Sequence, residues 1–583
     1  MTELLKRPFR FYFRMHPRVF AIGSASLFCT NLLDTLSPLG LKFAIDAVSE
    51  KDPAKLVKAI LIYISIMTGV ALFRFGWRYY FGRFHHAVAH DLRTRIFSQL
   101  TNLGPSFYQR SPVGQLMSLM TNDVNSFRQA IGPGMLTLLD AIFLLAMILP
   151  IMCWLSWDWT WKTLVFVPLM PFAMRKLEAA IHSRYRIEQD RLSDLSARAQ
   201  EIVAGVRVIK GFAQEKNQLR SFNELSRAYE VACNRVTQVD ALFNPTFQIA
   251  TIFGAVSLLW WGTPDVMSSR VTLGSFIAFF EYVRKMVWPF SAIGLAVSMM
   301  EQGRASFDRI RELLATETDI PDTGVASISN FETLEFRSLS FRYPGAIADA
   351  LSDVSLTIHA GETVGLVGPV GAGKTTLLQL ATRLYPAADG SVLINGLDLA
   401  SVRRDSLSSL ISYVTQDVFL FSDTIAENVA LGFLDFPGLE PVQEASLVVN
   451  IDQEIQSIPG SYGAYLGERG VNLSGGQKQR LSIARAMIRK SQVVMLDDSL
   501  SAVDGRTEKM ITGELRRAMG SRSQTVILVS HRLATLRHAD RIVVMNQGRI
   551  EAVGTHEELV ATCATYRELE SMQSNAGGGL HAR

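Results

Sequence analysis

The run Gly368, Pro369, Val370, Gly371, Ala372, Gly373, Lys374 and Thr375, followed by Thr376, has the composition and spacing to handle a phosphate. It is a GxxxxGKT pattern, preceded by the strand-like ETVGLVG and followed by the helical TLLQLATRLY. In that setting the glycines let backbone N–H groups turn inward around phosphate oxygens, and the helix N-terminus adds positive potential. Lys374 is expected to reach the β- and γ-phosphates of ATP, and Thr375 to hold Mg2+. A second apolar strand, VVMLDD, ends in Asp497, the expected further partner of the metal and its waters.

The elements that must carry this chemistry belong to a chain of two unlike parts. Its 583 residues are 48% hydrophobic and 19% charged, and the length alone implies more than one domain. Long apolar runs extend to about Met300, and beyond about Phe331 the sequence reads as a soluble α/β domain. The net charge of +4 gives no argument for a nucleic-acid partner. Cys29, Cys153, Cys233 and Cys563 are far apart and read as small hydrophobic fillers, not metal ligands or disulfide partners.

A membrane helix needs about 20 largely apolar residues, and six stretches qualify, roughly 19–46, 57–82, 134–157, 160–181, 244–265 and 272–300. The first contains Asp34 and Pro38, and the sixth contains Glu281, Arg284, Lys285 and Pro289. Two long basic connections separate spans two and three and spans four and five; both have helical periodicity and read as paired rods. Short elements near SPVGQLMS and GFAQEKNQ are the expected points of contact with the soluble domain. Arginine and lysine near the span ends place both connections and both termini in the cytoplasm. Trp154, Trp157, Trp159 and Trp161 at one outer turn, and Trp260 and Trp261 at another, read as interfacial belts.

The expected fold class is therefore a multidomain membrane protein, a six-helix α-helical transmembrane domain fused to an α/β P-loop NTPase domain. Its expected segments are an amphipathic interfacial segment at roughly 1–18, the transmembrane domain at 19–315 and a linker at 316–330, then the ATPase at 331–573 and a flexible tail at 574–583. Asp140, Arg74 and Arg78 are intramembrane charges, functional or structural, and Phe73, Trp77 and Phe279 either line a cavity or pack.

Between the two apolar strands lies Leu473, Ser474, Gly475, Gly476, Gln477. With this LSGGQ run, Ser501-Ala502-Val503-Asp504, Gln416 in VTQDVFLF and His531 in VSHRL, the whole chain resembles the ATP-binding cassette (ABC) exporters. That resemblance implies that Tyr343 stacks on adenine, Gln416 approaches Mg2+ and His531 touches the γ-phosphate. It also places Glu468 near the long connections. In the family two ATPase domains meet head to tail, so Ser474, Gly475, Gly476 and Gln477 of one complete the ATP site of the other. A second ABC half-transporter is thus the expected partner, with a small amphipathic substrate and the lipid bilayer.

The family usually carries a glutamate after the metal-binding aspartate; here the residue is Asp498. An aspartate carboxylate stops about 1.5 Å short, one C–C bond. A general base must come within about 2.6–3.2 Å of the proton it takes. Together with FSDTIAENVALG and LDDSLSAVDGRTE, this resembles the first half of bacterial heterodimeric multidrug exporters. The resemblance implies export of drugs or lipids across the bacterial inner membrane, by a heterodimer whose partner supplies the glutamate. Alternatives are a homodimeric lipid flippase, an importer on the same fold, or an ATP-gated regulatory or channel-like receptor.

Overall fold

The computed structural model of the chain describes residues 2–165, 169–467, 470–501, 507, 510, 511, 513 and 524–578. These fall into two units, Met1–Thr101 with Gly114–Thr316, and Asn102–Val113 with Glu317–Arg583.

The first unit is helical. Its long helices are α1 (Pro17–Ser49), α2 (Pro53–Asn102), α3 (Val113–Leu155), α4 (Leu169–Ala204), α5 (Glu215–Asp240), α6 (Phe243–Met267) and α7 (Leu273–Ala315). Among the described residues, α1, α2 and α3 are long and apolar enough by composition to cross a membrane. The fourth expected span includes residues 166–168, which lie outside the described residues. Helices α6 and α7 cover the fifth and sixth expected spans. Helices α4 and α5 run antiparallel as a pair of rods: Arg184 donates to the Arg235 carbonyl, and Arg198 to Gln218 at 2.7 Å.

The polar groups of α1 and α7 meet one another along an antiparallel seam. Asp46 accepts from the Gly274 amide at 3.0 Å, and the Tyr282 hydroxyl donates to the Thr35 carbonyl at 2.7 Å. Lys285 pairs with Asp34 at 2.8 Å and also donates to Ser37. The charges that interrupt the first and sixth apolar runs are thus largely compensated within the unit; Glu281 likewise pairs with Arg284.

One expectation changes here. Trp159 is 1% exposed and gives its indole N–H to Asp265, whereas Trp154, Trp157 and Trp161 are exposed. Trp157 and Trp161 share one face of a helix at spacing four, and Trp159 points to the other. Phe279, 5.5 Å from the Trp159 ring, is a packing residue, while Phe73 is exposed and Arg78 lies over the Trp77 ring. The N-terminal helix Pro8–Met15 turns its aromatic face onto the protein itself, with Phe13 stacked on Phe84, Phe9 near Phe127, and Tyr12 donating to Asp91. Its Arg10 and Arg14 stay exposed.

The second unit holds two sheets. Strands β1 (Thr333–Phe341), β2 (Leu351–His359), β4 (Val392–Ile394) and β5 (Leu397–Asp398) form an antiparallel sheet. Strands β3 (Thr363–Val367), β6 (Ile411–Val414), β7 (Val493–Asp497), β8 (Thr525–Val529) and β9 (Arg541–Asn546) run parallel, with β10 (Arg549–Gly554) antiparallel at the edge. The parallel strands are apolar on both faces. Val494 and Leu496 enter one core and Val493 and Met495 the other. The expected linker packs onto this unit: Arg383 donates to the Pro321 carbonyl, and the Ile328 amide to Ser406. The segment Asn102–Val113 belongs to this unit and includes the start of the SPVGQLMS run, Ser111, Pro112 and Val113.

Replacing Lys285 by Ala leaves Asp34 without its cation. Thermal unfolding in detergent should show a loss of about 2 kcal/mol, below the figure for a fully buried pair because both side chains are partly exposed. Adding Asp34→Asn to Lys285→Ala should recover part of that loss.

Candidate ATP site

Strand β3 delivers the chain into the phosphate loop, and helix α8 (Lys374–Ala381) carries it away. Gly373 has φ +95°, and a Cβ there would stand 2.6 Å from Leu351 Cδ2. At Gly368 a Cβ would meet the Met545 carbonyl oxygen at 2.0 Å. Only glycine fits at both positions, so the loop can curl tightly enough to aim its amides at one centre. Pro369, Gly371 and Ala372 complete the curl, while the Val370 side chain is 91% exposed.

Lys374 is buried, and its ammonium donates to the Gly368 and Pro369 carbonyls at 2.8 and 2.9 Å. Burial pushes its pKa down, opposed by Asp497 and Asp498. Asp497, at the end of β7, is 1% exposed. It accepts from the Thr375 hydroxyl at 3.1 Å and from the Tyr413 hydroxyl at 3.1 Å. Burial raises its carboxyl pKa, these two donors pull it back, and Asp498 adds to the rise. A buried carboxylate beside a hydroxyl, both supplying hard oxygen, suits Mg2+.

Tyr413 escaped the sequence reading. It sits on β6 opposite Met495 of β7, so its side chain lies on the same sheet face as Asp497, two residues further along. That register is a property of the folded sheet, which no local pattern encodes. Gln416 is exposed just past β6, and His531 is exposed in the loop after β8, where its carbonyl accepts from Gln573. Asp498 has φ +45°; its amide donates to the Val529 carbonyl at 3.0 Å, and its carbonyl accepts from the Ser501 hydroxyl at 2.9 Å.

The Tyr343 hydroxyl is tied to α8, bonding Thr376 at 3.0 Å and Gln379 at 2.8 Å, which fixes the ring's edge. Tyr385 meets the Tyr343 ring edge-on at 5.1 Å, and its own hydroxyl accepts from Gln109 at 2.7 Å.

Ser474 caps helix α9 (Gly475–Met487) in a reciprocal capping box with Gln477. Gln477 and Arg480 both bond Glu454, a second residue the motifs did not reveal. Ser474 and Gly475 are exposed and Gly476 half-buried, so this helix start lies at the surface of the unit. Helix α9 packs in one core of the unit and α8 in the other. The structure thus brings together Lys374, Thr375, Asp497 and Asp498, and leaves Ser474, Gly475, Gly476 and Gln477 elsewhere on the unit. Glu468 and residues 502–504 lie outside the described residues.

A P-loop ATPase fused to a helical membrane unit is the class that fold and site define. Residues 20–290 match the ABC transporter transmembrane region and residues 351–501 the ABC transporter ATPase family. The chain is 34% identical over 97% of its length and 97% of the relative's to the probable multidrug resistance ABC transporter ATP-binding/permease protein YheI of Bacillus subtilis. It is 33% identical to the multidrug resistance-like ATP-binding protein MdlA of Escherichia coli, covering 96% of this chain and 95% of that one. A bacterial Atm1-family ABC exporter with ATP bound shares the fold at a TM-score of 0.79 and 25% identity, over 95% and 99% of the two chains. The protein belongs to the ABC transporter family and has the exporter fold, and its ATPase activity is coupled to transport.

Tyr413→Phe removes one of the two donors on Asp497 and leaves the ring. We expect the Mg2+ concentration needed for half-maximal ATPase activity to rise about tenfold, from the loss of a hydrogen bond to a charged group. Binding of a fluorescent ATP analogue in EDTA should be unchanged.

Proposed function

We propose that this chain is one subunit of a heterodimeric exporter that moves amphipathic or lipophilic compounds out across the bacterial cell membrane. Both termini and both long connections lie in the cytoplasm in this reading, following the arginine and lysine distribution. ATP binds with Mg2+ held at Thr375 and Asp497, and Gln416 and His531 approach the metal and γ-phosphate when the site closes.

The separation of Ser474 from Lys374 supports a dimer: the signature helix start is exposed on one core while the phosphate loop rests on the other. A second cassette supplies the missing face. Phe212, 74% exposed at the tip of the second long connection, offers that cassette an aromatic contact.

Asymmetry rests on Asp498. Its backbone is held at both ends, by Val529 and by Ser501, so the main chain has little freedom to carry the shorter carboxylate forward. This chain's own ATP site is accordingly the slow one, and its intact signature serves the partner's site.

Purified alone, the chain should hydrolyse ATP feebly, and co-assembly with the partner should restore turnover. With the partner's own base neutralised, Asp498→Glu should raise turnover about ten- to a hundredfold, the scale set by a 1 Å misplacement of a reacting group. Asp498→Asn in the native pair should hardly change it; a large loss would make Asp498 the working base. Solute accumulation in inverted vesicles that requires ATP tests export itself, and flat accumulation would overturn it.

A further inference from the structure

Asp34 and Asp140 both lie in apolar spans near the α1–α7 seam, and they are treated differently. Asp34 is neutralised by Lys285. Asp140, on α3, receives only neutral donors: Asn31 gives its amide to Oδ1 at 3.0 Å and to the backbone carbonyl at 3.5 Å, and Trp288 gives its indole N–H to Oδ2 at 3.1 Å. Among the described residues no lysine, arginine or histidine pairs with it. Asn31 and Asp34 are one helical turn apart on α1, as are Lys285 and Trp288 on α7. The same seam therefore supplies a cation to one carboxylate and, one turn away, an aromatic ring to the other.

A carboxylate at membrane depth is costly against hydrocarbon, so it faces the bundle interior or a watered cavity. Two neutral donors use half of its roughly four acceptor positions. Asn31 is 4% exposed and so anchors the buried side, whereas Trp288 is 52% exposed. An anion with spare acceptor capacity beside a half-exposed indole combines the two attractions that favour a bulky, weakly hydrated organic cation.

We propose that Asp140, oriented by Asn31 and Trp288, is the point at which the membrane unit recognises the positive group of lipophilic cations. This deepens the export reading and rests on it for the direction of movement, though binding itself is independent of that reading. A neutral compound of the same shape gains only the ring contact.

The test uses the full-length chain in lipid nanodiscs, with tetraphenylphosphonium as the cation and triphenylphosphine oxide as its neutral counterpart. Asp140→Asn keeps the shape and should weaken tetraphenylphosphonium binding about tenfold or more, the loss of one charge-pair contact. Triphenylphosphine oxide should change less than about twofold, because Asp140→Asn leaves its ring contact in place. Asp140→Glu should retain cation binding. ATP-analogue binding reports folding, and if Asp140→Asn does not fold, photolabelling of the unaltered protein with an azido-phosphonium replaces it. Label on α1, α3 or α7 around Asn31, Asp140 and Trp288 is then expected. Absence of tetraphenylphosphonium binding, an unchanged affinity in Asp140→Asn, or label confined to other segments overturns the proposal. Should the cation bind at Asp140 while no solute accumulates in inverted vesicles, the export reading fails and the site stands.

Discussion

The parallel sheet of the ATPase unit is apolar on both faces, and this constrains everything that happens to nucleotide. Strand side chains alternate, so Val493 and Met495 build one core while Val494 and Leu496 build the other. Helix α8, with the phosphate loop at its start, packs in the first, and α9, with the LSGGQ run at its start, in the second. Both helix starts offer amide groups to phosphate, but one sheet cannot turn both toward a single nucleotide. A family built on this sheet obtains a complete site by pairing units.

Within the helical unit a different solvent imposes a similar discipline. Polar groups at membrane depth must be satisfied by protein, and α1 and α7 do this for each other along their length, from Asp46 with Gly274 to Asp34 with Lys285. Of the charges that interrupt spans one and six, Asp34 and Lys285 tie the two helices together, while Glu281 and Arg284 pair within α7. Asp140 differs from Asp34 in that its side-chain partners, Asn31 and Trp288, are neutral.

Much of the ATP site was legible because its parts are local. A phosphate loop needs contiguous glycines, lysine and threonine between a strand and a helix, and a capping box needs Ser474 and Gln477 three residues apart. What escaped depends on contacts between segments far apart in sequence. Tyr413 reaches Asp497 only through the β6–β7 register, and Glu454 reaches Gln477 and Arg480 across a loop. Trp159 looked like a belt residue because its neighbours are tryptophans, yet helical spacing sends it to the opposite face. Lys285 of α7 pairs with Asp34 of α1, which no count along one helix can reveal.

The segment Asn102–Val113 interrupts the helical unit and becomes part of the ATPase, and its placement has a chemical consequence. Gln109 donates to the Tyr385 hydroxyl, the Tyr385 ring meets the edge of Tyr343, and the Tyr343 hydroxyl is held by Thr376 and Gln379 of the phosphate-loop helix. Each link is short and directional, unlike a diffuse apolar contact that tolerates sliding. A shift of Gln109 therefore bears on the ring that the family resemblance places against adenine. It bears through the same ring on the helix whose start carries Lys374 and Thr375. The continuous chain from α2 into this segment gives the helical unit a covalent hold on the first link.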